Sequence, residues 1–323
     1  MHTNKPQVIC IMGPTAIGKT SLAIELYQQG LPIDIISVDS AMVYKGLDIG
    51  SGKPSKDILA QVPHGLVDIR EPFEVYTVAD FYSDVIELIK QSHQNNRVPC
   101  LVGGTMMYFN SLFNGLAKLP SSDPEIRARI YHDIETLGLA HVQQTLAQID
   151  PITASKINPN DTQRIIRALE VFLTTGERLS DLLKQSTHSF SEFNKFDTIN
   201  FILAPEGPEI NLLKTKAASP RAKLHDTIAS RFHEMLSLGF VEEVKRLFDD
   251  PKISPSLPAI KSCGYQQIWQ YLAGELKYDA MVENSISATR QLAKRQLTWL
   301  RSGHKNWPNT HWFDIYASDI KAS

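Results

Sequence analysis

Gly13-Pro14-Thr15-Ala16-Ile17-Gly18-Lys19-Thr20 is the stretch that decides the fold. The apolar residues before it, 8–12, predict a buried strand, and residues 21–26 after it predict a helix. This is the G-x-x-x-x-G-K-[ST] spacing, in which backbone N–H groups and a helix N-terminus surround a phosphate. Lys19 is expected to reach a terminal phosphate, and the Thr20 hydroxyl to bind Mg²⁺. The stretch predicts a diphosphate or triphosphate site and leaves the reaction open.

Length and composition limit the class of protein. The chain has 323 residues, 42% of them hydrophobic, enough for one large domain with an insertion or for two domains. Its net charge of −2 gives no global signal of nucleic-acid binding, so any such site is a local patch. Because no apolar run approaches 18 residues, neither a signal peptide nor a membrane span is expected. Three scattered cysteines without a C-x-x-C pair predict a reduced, cytoplasmic protein without structural zinc.

Asp39 is the first candidate catalytic residue. It follows a second apolar run, 34–38, and ligands of open α/β sheets bind at the carboxyl ends of strands. Asp39 is therefore expected beside the phosphate loop, although a turn or a helix N-cap would also explain it. The pattern then predicts a loop at 44–54, a strand at 64–69, a helix at 77–91, a strand at 98–102 and a helix at 106–113.

Gly103-Gly104-Thr105 joins the last of these strands to its helix. Two glycines at this point let the backbone approach a ligand closely. Thr105 is expected to cap the helix and to face the site, and capping alone is the simpler explanation.

The strand–helix alternation stops near Ala117, and the pattern is purely helical from Asp123 to about Gln185. The sequence therefore predicts an α/β protein with a parallel-sheet core, 1–117 and 190–323, and a helical insertion domain, 118–189.

One helix of this insertion, 161–173, is strongly amphipathic. Gln163, Arg164 and Arg167 lie on its polar side, which is either a solvated face or a binding face. Its apolar side carries Ile165, Ile166, Leu169, Phe172 and Leu173.

The last third returns to the core and ends in a basic helix. A strand at 196–204, an aperiodic loop at 205–220 and helices at 221–238, 241–248, 264–272 and 278–301 are predicted. From Ser285 to Lys305 there are five Lys or Arg and no Asp or Glu. Arg290, Lys294 and Arg301 project within one sector of the last helix. This is the local basic patch that nucleic-acid binding requires, unless it is only a solvated face.

Several absences narrow the reaction class. No N-K-x-D run supports guanine binding, and no strand except the one before Asp39 ends in an acid of the kind that binds Mg²⁺ in phosphoryl-transfer enzymes. The insertion shows no arginine-rich lid of the small-molecule kinase type. The phosphate loop therefore fits a leaving group better than a transferred phosphoryl group. A P-loop kinase for a small metabolite and a non-catalytic RNA-binding module are the alternatives.

Five motifs, in order along nearly the whole chain, resemble those of the tRNA dimethylallyltransferase (tRNA isopentenyltransferase) family. They are 13–20, Asp39-Ser40 with Tyr44 and 48–50, 103–108, 160–170, and 288–299. The resemblance implies a P-loop kinase-like core whose insertion contacts the anticodon arm of tRNA. It also implies transfer of a dimethylallyl group from dimethylallyl diphosphate to N6 of the adenosine immediately 3′ of the anticodon. The family acts on tRNAs that read codons beginning with U, and a cytoplasmic monomer is expected.

The same resemblance implies roles for particular residues. Asp39 would accept the N6 proton, Thr105 would orient the flipped base, and Lys19, Arg221 and Mg²⁺ on Thr20 would stabilise the diphosphate. The donor would lie on Gly13, Pro14, Thr15, Ala16, Ile17, Gly18, Lys19 and Thr20. The tRNA would contact Asp39, Ser40, Ala41, Met42, Thr105, Arg127, Gln163, Arg164, Ile165, Ile166, Arg167, Lys261, Ser262, Cys263, Gly264, Tyr265, Gln266, Arg290 and Lys294.

One segment departs from the family pattern. The family's Arg-x-x-Gly-Tyr-Arg is Lys261-Ser262-Cys263-Gly264-Tyr265-Gln266 in this chain. Arginine makes planar bidentate contacts that lysine and glutamine cannot reproduce, so this tRNA contact is expected to differ.

Overall fold

The computed structural model describes residues 5–186, 191–207, 220–303 and 305–316. The chain divides into two compact units, one drawn from Met1–Phe113 and Phe193–Ser323 and the other formed by Asn114–Glu192. The predicted insertion, 118–189, lies within the second unit. No helix of the described part is long and apolar enough to cross a membrane.

The first unit is built on a parallel six-stranded sheet with the strand order β3-β2-β4-β1-β5-β6. This confirms the predicted α/β fold. The strands are β1 Gln7–Met12, β2 Ile33–Val38, β3 His64–Gly65, β4 Val98–Gly103, β5 Asp197–Ala204 and β6 Thr310–Asp314.

Helices cover the sheet and form the second unit. They are α1 Lys19–Gln28, α2 Lys56–Gln61, α3 Val78–Gln94, α4 Met106–Asn114, α5 Pro124–Leu137, α6 Leu139–Ile149, α7 Pro151–Ala154, α8 Thr162–Thr175, α9 Leu179–Ser186, α10 Pro220–Ser237, α11 Phe240–Phe248, α12 Tyr265–Leu272 and α13 Tyr278–Gly303. A short 3₁₀ helix covers Glu192–Lys195.

The core lies on both faces of the sheet, because its inner strands are apolar at nearly every position. Along β1, Val8, Cys10 and Met12 pack into one buried cluster. Ile11 points the other way, into a second cluster with Ile35 of β2. Because the strands are parallel and in register, β1, β2 and β4 end side by side at the carboxyl edge of the sheet.

The structure corrects parts of the secondary-structure prediction. The strand predicted at 64–69 is paired only over His64–Gly65, since Leu66 and Asp68 adopt positive φ angles that leave the extended region. Helix α2 and edge strand β6 were missed. Leu173, predicted to lie on the apolar side of α8, is exposed.

Two predicted segments lie partly outside the described residues. The loop predicted at 205–220 is described only at 205–207 and at its end, and the link at 186–194 lacks 187–190.

Candidate active site

The phosphate loop connects β1 to α1 and contains two residues with positive φ angles. Ala16 and Gly18 have φ angles of 64° and 92°, and Gly18 is the N-cap of α1 without a side-chain capping bond. A Cβ atom on Gly13 would lie 2.5 Å from the carbonyl oxygen of Leu203, so only glycine fits there. The first turn of α1 thus begins with N–H groups that a phosphate can bind.

The ammonium group of Lys19 is hydrogen-bonded to the backbone of this loop. Its Nζ donates a hydrogen bond to the carbonyl oxygen of Pro14 at 2.7 Å, and the residue is only 9% exposed. Burial lowers the pKa of Lys19 to about 8, Asp39 opposes this shift and Arg231 adds to it. A buried cation held by a neutral carbonyl is well suited to bind an incoming anion.

Asp39 stands at the end of β2, as predicted, and its side chain closes a turn. Its Oδ1 accepts the N–H groups of Ala41 and Met42 at 2.8 and 3.2 Å. Within the described residues Oδ2 has no hydrogen-bond partner. The turn that sequence alone offered as the alternative explanation is therefore present, and it leaves one carboxylate oxygen available for a proton.

Thr105 links the ends of β4 and β2. Its Oγ1 accepts the N–H of Ser40 at 3.2 Å, while its own N–H donates to the carbonyl oxygen of Val38 at 3.2 Å. A Cβ on Gly103 would lie 2.0 Å from that Val38 oxygen. Gly103 thus permits a close approach to the neighbouring strand β2, whereas the sequence predicted a close approach to a ligand.

Arg231 is a site residue that the sequence prediction missed. The guanidinium occupies the space beside Gly52, where a Cβ would lie 1.8 Å from Nη2. Its charge acts on Lys19, and burial lowers the pKa of Arg231 while Asp39 raises it. The position lies ten residues beyond Arg221 in α10, and no local motif marks it.

Glu243 holds the glycine-rich loop 44–54 in place. This buried carboxylate accepts the N–H groups of Asp48, Ile49 and Gly50 at 2.7–3.2 Å and the hydroxyl of Tyr265 at 2.6 Å. The loop has a second anchor in Lys53, whose ammonium is bound to Asp48 and Asp68. The predicted loop is therefore held in place, and its Gly52 lies against Arg231.

A model of the IPP transferase family matches residues 42–303. This chain belongs to the IPP transferase family. The matched range begins after the phosphate loop and Asp39, so the geometry at 13–20 and 39 adds to the match independently.

Solved structures of tRNA-modifying enzymes resemble the chain over most of its length. The full-length tRNA isopentenylpyrophosphate transferase of Bacillus halodurans is 31% identical, with a TM-score of 0.64, over 96% of this chain and 90% of that one. The tRNA delta(2)-isopentenylpyrophosphate transferase of Staphylococcus epidermidis is 30% identical, with a TM-score of 0.61, over 96% and 93%. A eukaryotic dimethylallyltransferase acting on tRNA is 27% identical, with a TM-score of 0.71, over 91% and 70%.

In this IPP transferase, Arg221 is engaged by a carboxylate. Its guanidinium binds Glu206 at 2.6–2.7 Å, and the same oxygen accepts from Arg301 at 2.5 Å. Arg301 is therefore part of an ion-pair cluster and does not simply extend the basic face predicted for α13. The predicted contact of Arg221 with diphosphate stays a prediction.

The remaining basic residues of α13 differ from one another. Arg290 is half-buried and donates to the carbonyl oxygen of His225 at 3.4 Å, whereas Lys294 is exposed.

The altered segment 261–266 contains both exposed and buried residues. Lys261 and Gln266 are exposed, while Gly264 and Tyr265 are buried, so the side chain of Tyr265 belongs to the core.

In the second unit, Arg127 and Arg167 converge on Glu170. The carboxylate is fully buried and accepts from both guanidinium groups at 2.7–3.3 Å and from Ser122 at 2.8 Å. Burial acts to raise the pKa of Glu170, but hydrogen bonds from Arg127, Arg167 and Ser122 outweigh it and hold that pKa at about 2. Both arginines are thus partly occupied by a structural ion pair.

Helix α8 presents only part of its predicted tRNA-binding set. Gln163 and Arg164 are exposed, and Arg164 pairs with Asp161 one turn earlier. Ile165 and Ile166 are each 1% exposed and form the core of the unit, because an amphipathic helix turns these positions inward. Their side chains are turned away from solvent, and the predicted contact of Ile165 and Ile166 with tRNA stays a prediction.

Proposed function

We propose that this protein transfers a dimethylallyl group from dimethylallyl diphosphate to N6 of the adenosine immediately 3′ of the anticodon. Its substrates are tRNAs that read codons beginning with U, and diphosphate is released. Membership of the IPP transferase family makes the chain a tRNA prenyltransferase. The observation that supports the particular donor is the buried ammonium of Lys19 in an amide-lined loop, beside a carboxylate on the next strand.

In the transfer, N6 forms a bond to the allylic carbon while the bond from that carbon to the diphosphate oxygen breaks. Negative charge grows on the diphosphate, where the loop amides and Lys19 stabilise it. Arg231 lies close enough to influence the charge of Lys19, so it adds to the positive potential at the same place.

The proton of N6 goes to Asp39. Adenine N6 is a weak nucleophile because its lone pair is delocalised into the ring, so removal of a proton during attack helps the reaction. Oδ1 of Asp39 is held by two backbone N–H groups, which leaves Oδ2 to take the proton. Thr105 lies beside Ser40 and orients the base, which leaves the stack of the anticodon loop at low cost.

Thr20 suits Mg²⁺ as one ligand among several. It lies in the first turn of α1, and hydroxyl and carboxylate oxygens are ligands that Mg²⁺ accepts together with substrate phosphates and water. When bound, the ion neutralises charge on the leaving diphosphate. Thr20 would hold it, and the loop amides and Lys19 act on the remaining phosphate oxygens.

Both units supply exposed groups for tRNA. Lys294 and Lys261 in the first unit, and Gln163 and Arg164 in the second, are exposed and suited to phosphates or bases. We propose a cytoplasmic enzyme because its substrate is tRNA, and a monomer because one chain carries all the proposed groups.

The function is tested by incubating the protein with unmodified tRNA and dimethylallyl diphosphate, followed by nucleoside analysis. The expected product is N6-dimethylallyladenosine at the position 3′ of the anticodon, in tRNAs for U-initial codons only. Parallel reactions receive ATP and no prenyl donor. Phosphorylated product in the ATP reactions, or modification of tRNAs regardless of anticodon, would contradict the proposal.

A further inference from the structure

We infer that Gln296 is a positioning residue that sets the spacing between the donor loop and the acceptor loop. It lies on α13 and is 8% exposed. Its Oε1 accepts the N–H of Thr15, in the phosphate loop, at 2.8 Å. Its Nε2 donates to the carbonyl oxygen of Gly104, in the loop after β4, at 2.7 Å. One side chain therefore joins the two loops from an element far away in sequence.

This bridge uses both halves of the amide. The loop N–H requires an acceptor and the Gly104 carbonyl requires a donor, and only an amide side chain of this length supplies both without a charge. The amide orientation follows from these two partners. Among side chains of similar size, glutamate lacks the donor at neutral pH and methionine lacks both groups.

The absence of a side chain at Gly104 leaves room for this contact. A Cβ at this position would lie 2.5 Å from Nε2 of Gln296 and 3.1 Å from the carbonyl oxygen of Gly13. The first distance is shorter than real Cβ contacts, and the second is tighter than most of them. The second glycine of the Gly-Gly-Thr segment is thus explained by the approach of Gln296 and the phosphate loop.

The bridge continues to the proposed base. Thr105, next to Gly104, donates its N–H to Val38 and accepts from Ser40, so it is bound to the residues on either side of Asp39. Hydrogen bonds therefore run from the phosphate loop through Gln296 and Gly104-Thr105 to the end of β2. Displacing reacting groups by about 1 Å can cost ~10²-fold in rate. Gln296 thus acts on the distance between N6 and the allylic carbon, an assignment that rests on the proposed function.

The test uses the full-length variants Gln296→Met and Gln296→Glu, with Gln291→Met as the matched control on the exposed side of the same helix. Single-turnover rates are measured with saturating tRNA and dimethylallyl diphosphate, and the affinity for each substrate is measured separately. The unmodified enzyme, assayed in parallel, reports on the proposed function itself. Variant-to-wild-type ratios report on Gln296.

Gln296→Met is expected to lower the transfer rate by ~10²-fold with both affinities within a few-fold of wild type. Gln296→Glu is expected to be impaired at pH 8 and to recover toward pH 6. Its carboxyl group, buried against a carbonyl oxygen, has a raised pKa and can donate to Gly104 once protonated. The ratio of Gln296→Met to wild type should not change with pH.

A Gln296→Met rate within twofold of wild type would overturn the inference, as would a Gln296→Glu ratio that is constant between pH 6 and 8. Loss of donor affinity in step with the rate would also overturn it, because Gln296 would then only shape the phosphate loop. If Gln296→Met does not fold, the pH dependence of Gln296→Glu decides alone.

Discussion

The carboxyl edge of the sheet and the Glu170 cluster of the second unit use the same kinds of charged groups differently. At the sheet edge, Asp39 has one oxygen in a turn and the other unpartnered within the described residues, and the ammonium of Lys19 is held by a carbonyl. In the second unit, both oxygens of Glu170 are bound by Arg127 and Arg167.

The pKa values express the same difference. Burial brings the pKa of Lys19 down to about 8, whereas the arginines bring that of Glu170 down to about 2 against the effect of burial. Ion-paired groups such as those around Glu170 stabilise the fold. Buried ionisable groups without a charged partner are suited to ligand binding and proton transfer. The comparison separates charged groups that bind or react from charged groups that stabilise the fold, which look alike in sequence.

The largest expected effect is on Asp39. Asp39→Asn keeps the size and the turn but cannot accept the N6 proton, so turnover should fall by ~10²–10⁴-fold. Single-turnover rates and separate affinities for donor and tRNA check this, with little change expected in either affinity or in unfolding. Donor binding lost in proportion to turnover would instead make Asp39 a ligand of the donor or its ion.

Glu170 should show the opposite behaviour. Glu170→Gln leaves two half-buried guanidinium groups without their carboxylate, and breaking a buried pair costs about 3–5 kcal/mol in the free energy of unfolding. Urea unfolding measures this, with Glu135→Gln on the exposed side of α5 as the control.

The pH dependence of this stability has a definite sign. Because folding lowers the pKa of Glu170, its contribution to the free energy of unfolding is complete above about pH 4.5 and is lost as the pH falls toward 2.

If Glu170→Gln unfolded like wild type but no longer bound tRNA, the cluster of Glu170, Arg127 and Arg167 would belong to the binding site.

Lys19 allows the sheet edge to be tested by pH alone. In the free enzyme the ammonium loses its proton as the pH rises through about 8, whereas bound diphosphate keeps it charged. Donor affinity should therefore be constant below pH 8 and fall by up to tenfold per pH unit above it. Lys19→Arg keeps its charge throughout this range and should bind with no such dependence. A flat profile for the unmodified enzyme would show that Lys19 is not the group that attracts the donor.

The smallest effects concern exposed cations. Arg164→Ala and Lys294→Ala should each flatten the plot of log tRNA affinity against log salt by about one unit or less. Lys245→Ala is the control, since Lys245 is exposed and paired with Asp249 as Arg164 is with Asp161, but is not among the predicted tRNA contacts. Equal changes in all three variants would mean that the effect reflects general charge and not contact with tRNA.

Local patterns were sufficient for much of the fold and for part of the site. The phosphate loop is a contiguous motif between a strand and a helix, and parallel strands bring their carboxyl ends together, so Lys19 and Asp39 could be placed from sequence. Strand β3 could not, because the positive φ angles of Leu66 and Asp68 are not visible in an apolar pattern.

The contacts that organise the site lie beyond any local pattern. Gln296 and Thr15 are 281 residues apart, and Glu243 and Ile49 are 194 apart, so their pairing exists only in the folded chain. Glu170 is different, since it lies three residues after Arg167, a helical spacing that favours an ion pair. Asp161 and Arg164 have the same spacing, so this signal indicates an ion pair for both arginines and does not separate them.

The strand order also constrains how the chain is made. β1 lies between β4 and β5, and β5 is complete only at Ala204, about 190 residues after Met12. At ~5–20 residues per second, ribosomal synthesis leaves one edge of this apolar strand uncovered for roughly 10–40 s. The second unit, Asn114–Glu192, is synthesised entirely within that interval. The nascent chain therefore carries an unpaired strand edge, of a kind prone to aggregation, while an intervening domain emerges.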